Sequence, residues 1–207
     1  MKNVFTKLTA ITLLGLFASA AQAHMLWLER AENGNTFAYF GEANEGLKEN
    51  AEKLGMFKDS SLVQVEKMMA GTLGEDHILY PSTKDGDVRT STSVLHKDML
   101  VNFRARNGIT ETKTSLDYEM TPVDISKGQF KLLLNGEKAV EHSISVVTPE
   151  LKEIELKTDN EGIVTLDLTQ QGNYVIEASY TEEKAGKYLG KDYAKVIYVS
   201  TLSFSKK

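Results

Sequence analysis

The feature that most constrains the fold is a series of short apolar segments, separated by turn-forming residues, that begins near residue 115. The segments read SLDYEMTPVD, QFKLLLNGEKAVEHSISVVTP, IELKTDNEGIVTLDL, NYVIEASY and AKVIYVSTLSFS. Turn signals stand at Asn135-Gly136, at residues 159–162 and at Gly172-Asn173. Strands at this spacing, without a helical period, predict an antiparallel β-sandwich over residues 117–207.

The preceding region, residues 24–116, is predicted to be rich in strands and to carry one short helix. The runs HMLWLER and TFAYFGE flank Asn33-Gly34, which favours a β-hairpin. Residues 44–57 have Leu47, Ala51 and Leu54 at helical spacing, with Asn44 as a possible cap. Residues 61–70 could form a strand or a short helix, of which a strand is favoured, and residues 88–106 are interpreted as alternating, half-exposed strands. We expect the boundary between the two regions to lie near residues 115–122.

Composition excludes several classes of protein. The 207 residues include 24 Lys and Arg against 29 Asp and Glu, a formal net charge of −5. Nucleic-acid binding and basic membrane-surface binding both need clustered Lys and Arg, so neither is expected. Cysteine is absent, which excludes disulfides, thiolate metal sites and cysteine catalysis.

Residues 1–23 have the pattern of a secretory signal peptide. The basic segment MKNVFTK precedes the apolar run LTAITLLGLFASA and the small-residue site AQA. The apolar run is shorter than the roughly 20 residues that cross a bilayer. The sequence therefore predicts export to the periplasm, cleavage after Ala23 and no membrane insertion after cleavage.

Cleavage after Ala23 would make His24 the first residue, which is a metal-binding arrangement. The released α-amine and the imidazole Nδ1 can close a chelate ring on one ion, and both groups become neutral donors at modest proton cost. Nitrogen donors of this kind favour Cu(II), Ni(II), Co(II) and Zn(II). The alternative is that His24 only opens the first strand.

Three further residues are candidate metal ligands beside His24. Glu42 ends the strand that should pair with the segment after His24, while His77 and His96 belong to segments of undetermined position. His142 alternates with apolar neighbours, which favours a hydrogen-bonded, half-buried histidine. In an extended strand His24 shares a face with Leu26 and Leu28, while Met25, Trp27 and Glu29 share the other face.

The chain resembles a known family in two blocks. HMLWLE followed by FAYFGEANEGLKENAEKLGMF, together with the strand pattern of residues 117–204, resembles the DUF4198 family of exported bacterial proteins, often labelled NikM-like components of nickel or cobalt uptake. The resemblance implies a transthyretin-, CnaB- or immunoglobulin-like sandwich and a transition-metal ligand at His24. Many relatives continue into a C-terminal membrane helix, and a chain ending after Phe204 without one is expected to be a soluble component.

The leading hypothesis is a soluble periplasmic protein that captures or delivers Cu, Ni or Co, with a membrane metal transporter as a possible partner. No G-x-S-x-G, H-E-x-x-H, P-loop or dinucleotide motif is present, so no catalytic residue is predicted. Two alternatives stay open. One is a sandwich module that binds an envelope protein or a carbohydrate without metal. The other is a copper-dependent oxidative enzyme, which would need a second histidine beside His24.

Overall fold

The computed structural model describes residues 24–64, 67–81 and 86–207. The predicted leader lies outside this part of the chain. The described residues form mainly β-strands, as the sequence predicts, with one short α-helix and three 3-10 turns.

The strands up to residue 107 are β1 (Met25–Arg30), β2 (Thr36–Glu42), β3 (Leu47–Lys48), β4 (Ser61–Gln64), β5 (Lys67–Ala70), β6 (Thr72–Leu73), β7 (Ile78–Tyr80), β8 (Val88–His96) and β9 (Met99–Asn107). The helix is α1 (Ala51–Leu54), and the 3-10 turns are Ala43–Glu45, Gly55–Phe57 and Ile125–Lys127. The later strands are β10 (Tyr118–Asp124), β11 (Gln129–Leu134), β12 (Glu137–Lys138), β13 (Ser143–Val147), β14 (Glu153–Lys157), β15 (Ile163–Thr165), β16 (Gly172–Glu182), β17 (Gly186–Tyr188), β18 (Lys191–Tyr193) and β19 (Lys195–Lys206).

The central layer is an eight-stranded sheet with the order β14-β13-β16-β19-β9-β8-β4-β5. Neighbouring strands in it are antiparallel except β9 and β19, which run parallel from the pair Met99–Lys195 to the pair Asn107–Ser203. A parallel pair needs a long connection, which the chain from β10 to β18 supplies. The sheet therefore continues across the boundary that the sequence suggests between residues 116 and 117.

Two smaller sheets cover the two faces of the central sheet. One has the order β1-β2-β7-β6 with β3 on β2, and the other has the order β10-β11-β12 with β15 on β11. Strand β19 contacts both, because its successive side chains point to opposite faces. Val199 belongs to the core cluster of Leu26 and Phe40, whereas Leu202 packs with Tyr118 and Phe130. The predicted sandwich is thus one half of a three-layered arrangement.

Strand β1 is buried on both of its faces. Leu26 and its alternate neighbours pack on the central sheet, while Met25 and Trp27 form a separate cluster with Val175. The Thr201 hydroxyl donates a 2.7 Å hydrogen bond to the Leu26 carbonyl and ties β1 to β19. Burial and this hydrogen bond together hold the start of β1 against the sheet.

The prediction of one helix over residues 44–57 is wrong. Gly46 adopts a left-handed conformation with φ of 65°, and β3 then pairs with the end of β2. A Cβ on Gly41 would stand 2.2 Å from the Leu47 carbonyl oxygen, so only glycine allows this close approach. The α-helix begins later, where the Asn50 side chain caps α1 by accepting from the backbone of Glu52 and Lys53. Residues 61–70 likewise contain two antiparallel strands, β4 and β5, where the sequence suggested one.

A buried network of charged side chains fixes the loop between β9 and β10. The Arg106 guanidinium binds Asp87 and lies 3.1 Å from Glu119, and all three side chains are almost fully buried. Arg89 bridges Glu119 at 2.6 Å and Glu111 at 2.7 Å. Buried charges are tolerated when they are paired and hydrogen-bonded, which these are. Sequence alternation alone did not reveal this network.

Candidate functional site

His24 lies just before β1 and opposite the end of β2. The register of the hairpin pairs Met25 with Gly41, which puts His24 beside Glu42, as the sequence led us to expect. The His24 ring packs against Phe40 with a centroid separation of 5.3 Å, and its side chain stays one-third exposed. Its Nδ1 lies 3.5 Å from Glu42 Oε1.

A second carboxylate, which the sequence analysis missed, binds the other edge of the ring. His24 Nε2 lies 2.6 Å from Glu49 Oε1, although 25 positions separate the two residues. The Glu49 backbone N–H donates to the Phe40 carbonyl at 2.8 Å, so the chain after β3 returns alongside β2. The interpretation of residues 44–57 as one helix concealed this contact. Asn50, a strong N-cap residue followed by AEKL, was the signal that Glu49 precedes the helix.

Lys53 holds Glu49 from its second side. Lys53 Nζ lies 2.5 Å from Glu49 Oε1, and the Glu49 side chain is only 12% exposed. The hydrogen bond from Lys53, followed by the one from His24, holds the pKa of Glu49 below its usual value. Glu49 is therefore a carboxylate at neutral pH, and it can only accept hydrogen bonds.

These contacts determine which nitrogen of His24 carries the hydrogen. Because Glu49 can only accept, Nε2 must be the donor of the 2.6 Å hydrogen bond. In the neutral ring, Nδ1 then presents a lone pair toward the Glu42 carboxylate. Two electron-rich atoms at this separation attract a cation, which can be a proton on Nδ1 or a metal ion. The two carboxylates lie at opposite ring nitrogens, so an ion bound at Nδ1 meets Glu42 but not Glu49.

His77 lies on the other face of the hairpin. Its ring contacts Phe37 and Tyr39 at centroid separations of 5.0 and 6.1 Å, and its Nδ1 lies 2.8 Å from Asp76. In β2, Phe37 and Tyr39 alternate with Phe40, the ring beside His24. The structure therefore does not bring His77 to His24.

His96 is the exposed last residue of β8. It pairs with Met99 at the hairpin between β8 and β9. The part of β9 that packs near His24 is Phe103, whose ring lies 5.7 Å from that of Phe40. Met99, the partner of His96, lies four positions before Phe103 along β9. His96 therefore stands at the outer tip of the sheet, and the structure does not join it to His24.

His142 has the structural environment that its sequence position suggests. Tyr118 Oη and the Ser179 carbonyl lie 2.7 and 3.0 Å from its Nε2. Burial lowers the pKa of His142, which keeps the ring neutral. It is a half-buried, hydrogen-bonded histidine.

Over residues 24–64, 67–81 and 86–207, no group of three or more His, Cys, Asp or Glu side chains is arranged so that it could hold a metal ion. Within the same residues, no helix has the length and apolar character needed to cross a membrane.

The comparisons with known proteins give little further information. A scan against models of protein families finds no match, and a search of curated protein sequences finds no similar protein. Among solved structures, the chain is similar to one described as "Biofilm associated protein - BSP domain", with 10% sequence identity and a TM-score of 0.23. The match covers 89% of this chain, which spans 29% of that chain's length. The DUF4198 resemblance stays a prediction.

Proposed function

We propose that the protein is exported and, once cleaved after Ala23, binds a divalent transition-metal ion (Cu, Ni or Co) at its new N-terminus, for capture or delivery in the periplasm. The observation that carries this proposal is the position of His24 Nδ1, which faces Glu42 while Nε2 is bound to Glu49. The α-amine released by cleavage is the missing donor. It belongs to the same residue and closes a chelate ring through Nδ1.

The spacing of the donors supports this assignment. Transition-metal ions bind imidazole nitrogen at about 2.0–2.1 Å and carboxylate oxygen at about 2.0–2.2 Å. Two such donors, at an angle between 90° and the tetrahedral value, lie roughly 2.8–3.5 Å apart. The 3.5 Å between His24 Nδ1 and Glu42 Oε1 lies at the upper end of this range. Amine, Nδ1 and Glu42 would supply three donors and leave a position for water or a receiving protein.

The environment of His24 suits a protein that exchanges its ion. The His24 side chain is one-third exposed and the Glu42 side chain 17% exposed, so an ion or a partner can reach the donors. The resemblance of residues 24–57 and 117–204 to DUF4198 supports the same function. A copper-dependent oxidative enzyme has less support, because His77, His96 and His142 make their contacts elsewhere.

The test starts from the full chain, exported by a Gram-negative host and purified from its periplasm. Mass spectrometry should give a protein that begins at His24. Calorimetric titration with Cu(II), Ni(II), Co(II) and Zn(II) should then show sub-micromolar binding of at least one ion. A matched variant, His24→Phe, keeps the ring shape and the free α-amine after cleavage but removes Nδ1, and it should lose that affinity.

Each alternative has its own result in this titration. Equal binding in both proteins would place the ion at another histidine and contradict the N-terminal chelate. Cleavage at another position, or no binding of any ion to either protein, would contradict the metal proposal. The remaining hypothesis would then be a sandwich module that binds an envelope protein or a carbohydrate.

A further inference from the structure

The contact between His24 and Glu49 is built by the fold and does not depend on a metal. Glu49 is held through its backbone by the Phe40 carbonyl and through its carboxylate by Lys53. The preceding residue, Lys48, lies on the opposite face of the hairpin, where its Nζ stands 3.4 Å from the centre of the Tyr39 ring. The side chains of Lys48 and Glu49 thus make contacts on opposite faces of the hairpin, and these contacts fix the segment that carries Glu49.

A carboxylate fixed in this way sets the orientation of the His24 ring. Rotation of the ring by half a turn about its bond to Cβ would remove the 2.6 Å hydrogen bond between Nε2 and Glu49. It would also turn Nδ1 away from Glu42. The hydrogen on Nε2 leaves the lone pair on Nδ1, the one ring nitrogen that can close a chelate with the α-amine of the same residue.

We propose that Glu49 is a positioning residue for the metal site, an inference that rests on the function proposed above. Glu49 does not touch the ion. It accepts the Nε2 hydrogen, holds the ring with Nδ1 toward Glu42, and strengthens Nδ1 as a donor. A carboxylate partner on the distal nitrogen has this effect on metal-bound histidines generally, and its loss costs about 10–100-fold in metal affinity.

The arrangement also restricts how the ion is bound. With Nε2 occupied by Glu49, an ion can reach the ring only through Nδ1, which limits it to the chelate within one chain. An exposed Nε2 would allow a single ion to join two protein molecules. Glu49 therefore favours one ion per chain and disfavours cross-linking by metal.

Two substitutions of Glu49 separate positioning from a general structural role. Glu49→Gln keeps an oxygen that accepts from both Nε2 and Lys53, whereas Glu49→Ala removes the acceptor. Glu52→Ala is the matched control, since it removes an equal charge from an exposed position three residues later in the same turn. All three variants are exported from the full chain, and thermal unfolding checks their folding.

The first readout is ¹⁵N NMR of the His24 ring in metal-free protein, which reports the tautomer without any ion. The second is calorimetric titration with the ion that binds the unsubstituted protein. We expect the Nε2–H tautomer to dominate in the unsubstituted protein, in Glu49→Gln and in Glu52→Ala. In Glu49→Ala we expect a mixture of tautomers, with affinity lower by about 10–100-fold. Glu49→Gln should recover most of that affinity.

The outcomes distinguish this inference from the proposed function. If the ion binds with the same affinity and the same tautomer in Glu49→Ala, Glu49 does not position the ring, although the metal proposal stands. If the unsubstituted protein shows the Nε2–H tautomer and Glu49→Ala shows a mixture, but neither binds an ion, the proposed function fails and the role of Glu49 at a metal site fails with it. Equal loss of affinity in Glu49→Ala and Glu52→Ala would show an effect of charge alone and would overturn the positioning role.

Discussion

Arg106 and Asp87 form an ion pair inside the protein, with the two side chains 1% and 0% exposed. The pair joins the last part of β9 to the residue that precedes β8. Asp87 also accepts from the Thr110 backbone at 3.0 Å, so the same carboxylate anchors the loop that leads to β10. The connection between the two regions of the chain thus depends on charge pairing as well as on apolar packing.

We expect Asp87→Ala to destabilise the protein by about 3–5 kcal/mol, because it leaves the buried Arg106 charge with only one of its two carboxylate partners, Glu119. Urea unfolding at neutral pH measures this difference. Lys127→Ala is the control, since it breaks an exposed ion pair with Asp124 and should cost no more than about 1 kcal/mol. A loss below about 1 kcal/mol for Asp87→Ala would show that water or other groups replace the carboxylate.

The same carboxylate predicts a loss of stability in acid. Burial alone would raise the pKa of Asp87, but hydrogen bonds from Thr110 and Arg106 lower it overall from the usual value of 3.8. A carboxyl whose pKa is lower in the folded protein contributes full stability above the unfolded pKa. That contribution decreases as the pH falls through 3.8 toward the folded pKa.

The free energy of unfolding, measured between pH 6 and pH 2.5, should therefore fall less steeply in Asp87→Asn than in the unsubstituted protein. Asp192→Asn, which alters a highly exposed carboxylate, serves as the control and should retain the original slope. Identical slopes in all three proteins would contradict the assignment to Asp87.

Glu177 predicts a change of stability in the opposite direction. It lies on β16 between Ser145 and Thr201, and burial, with a smaller contribution from the charge of Glu153, raises the pKa of Glu177 to about 7. The folded protein binds this proton more tightly than the unfolded chain does. Stability should therefore decrease as the pH rises from about 4.5 to about 7 and should change no further above that.

Glu177→Gln should relieve this cost and stabilise the protein at pH 8 by on the order of 2 kcal/mol, with little effect at pH 4. Denaturant unfolding at both pH values measures the difference. Glu155→Gln removes an exposed charge from the edge strand β14 and should change stability little at either pH. A stabilisation of equal size at pH 4 and pH 8 would point to packing instead of ionisation.

Gly41 offers a test of the connection between the hairpin and the segment that carries Glu49. In Gly41→Ala the new Cβ would collide with the Leu47 carbonyl, and the positive φ of 148° adds strain. We expect a loss of about 1–2 kcal/mol and a shift of the His24 ring resonances, because β3 leads directly to Glu49. Gly55→Ala meets no atom within 4 Å and should be neutral or slightly stabilising. Unchanged His24 resonances in Gly41→Ala would show that the position of β3 does not affect the His24 ring.

The sequence predicted features whose determinants are close together in the chain. Asn33-Gly34 and the alternation on either side predicted the hairpin, and its register brought Glu42 to His24. Leu47 illustrates why the helix prediction failed. Leu47 stands at helical spacing from Ala51 and Leu54 in the sequence. Gly41 and Gly46 nevertheless allow β3 to pair with β2 as a strand, which leaves Leu47 exposed. A backbone approach between two segments has no local signature.

Features that join distant positions could not be predicted in this way. Glu49 meets His24 only because β3 pairs with β2, and Arg106 meets Asp87 only because β8 and β9 are neighbours. The parallel alignment of β9 with β19 relates residues almost a hundred positions apart. Each of these contacts depends on which elements become neighbours, and alternation within one strand does not specify that.

The place of β19 in the middle of the central sheet has a consequence for the order of folding. Strand β19, which has twelve residues and is the last to be synthesised, lies between β9 and β16 in the central sheet. The earlier strands of this sheet therefore cannot form one continuous sheet until β19 has been made. Until then two long strand edges stay open, and pairings of such high sequence separation form slowly. Slow closure suits the export proposed above, in which the chain would cross a membrane before it folds. It also makes the final strand the step at which an interrupted molecule would aggregate.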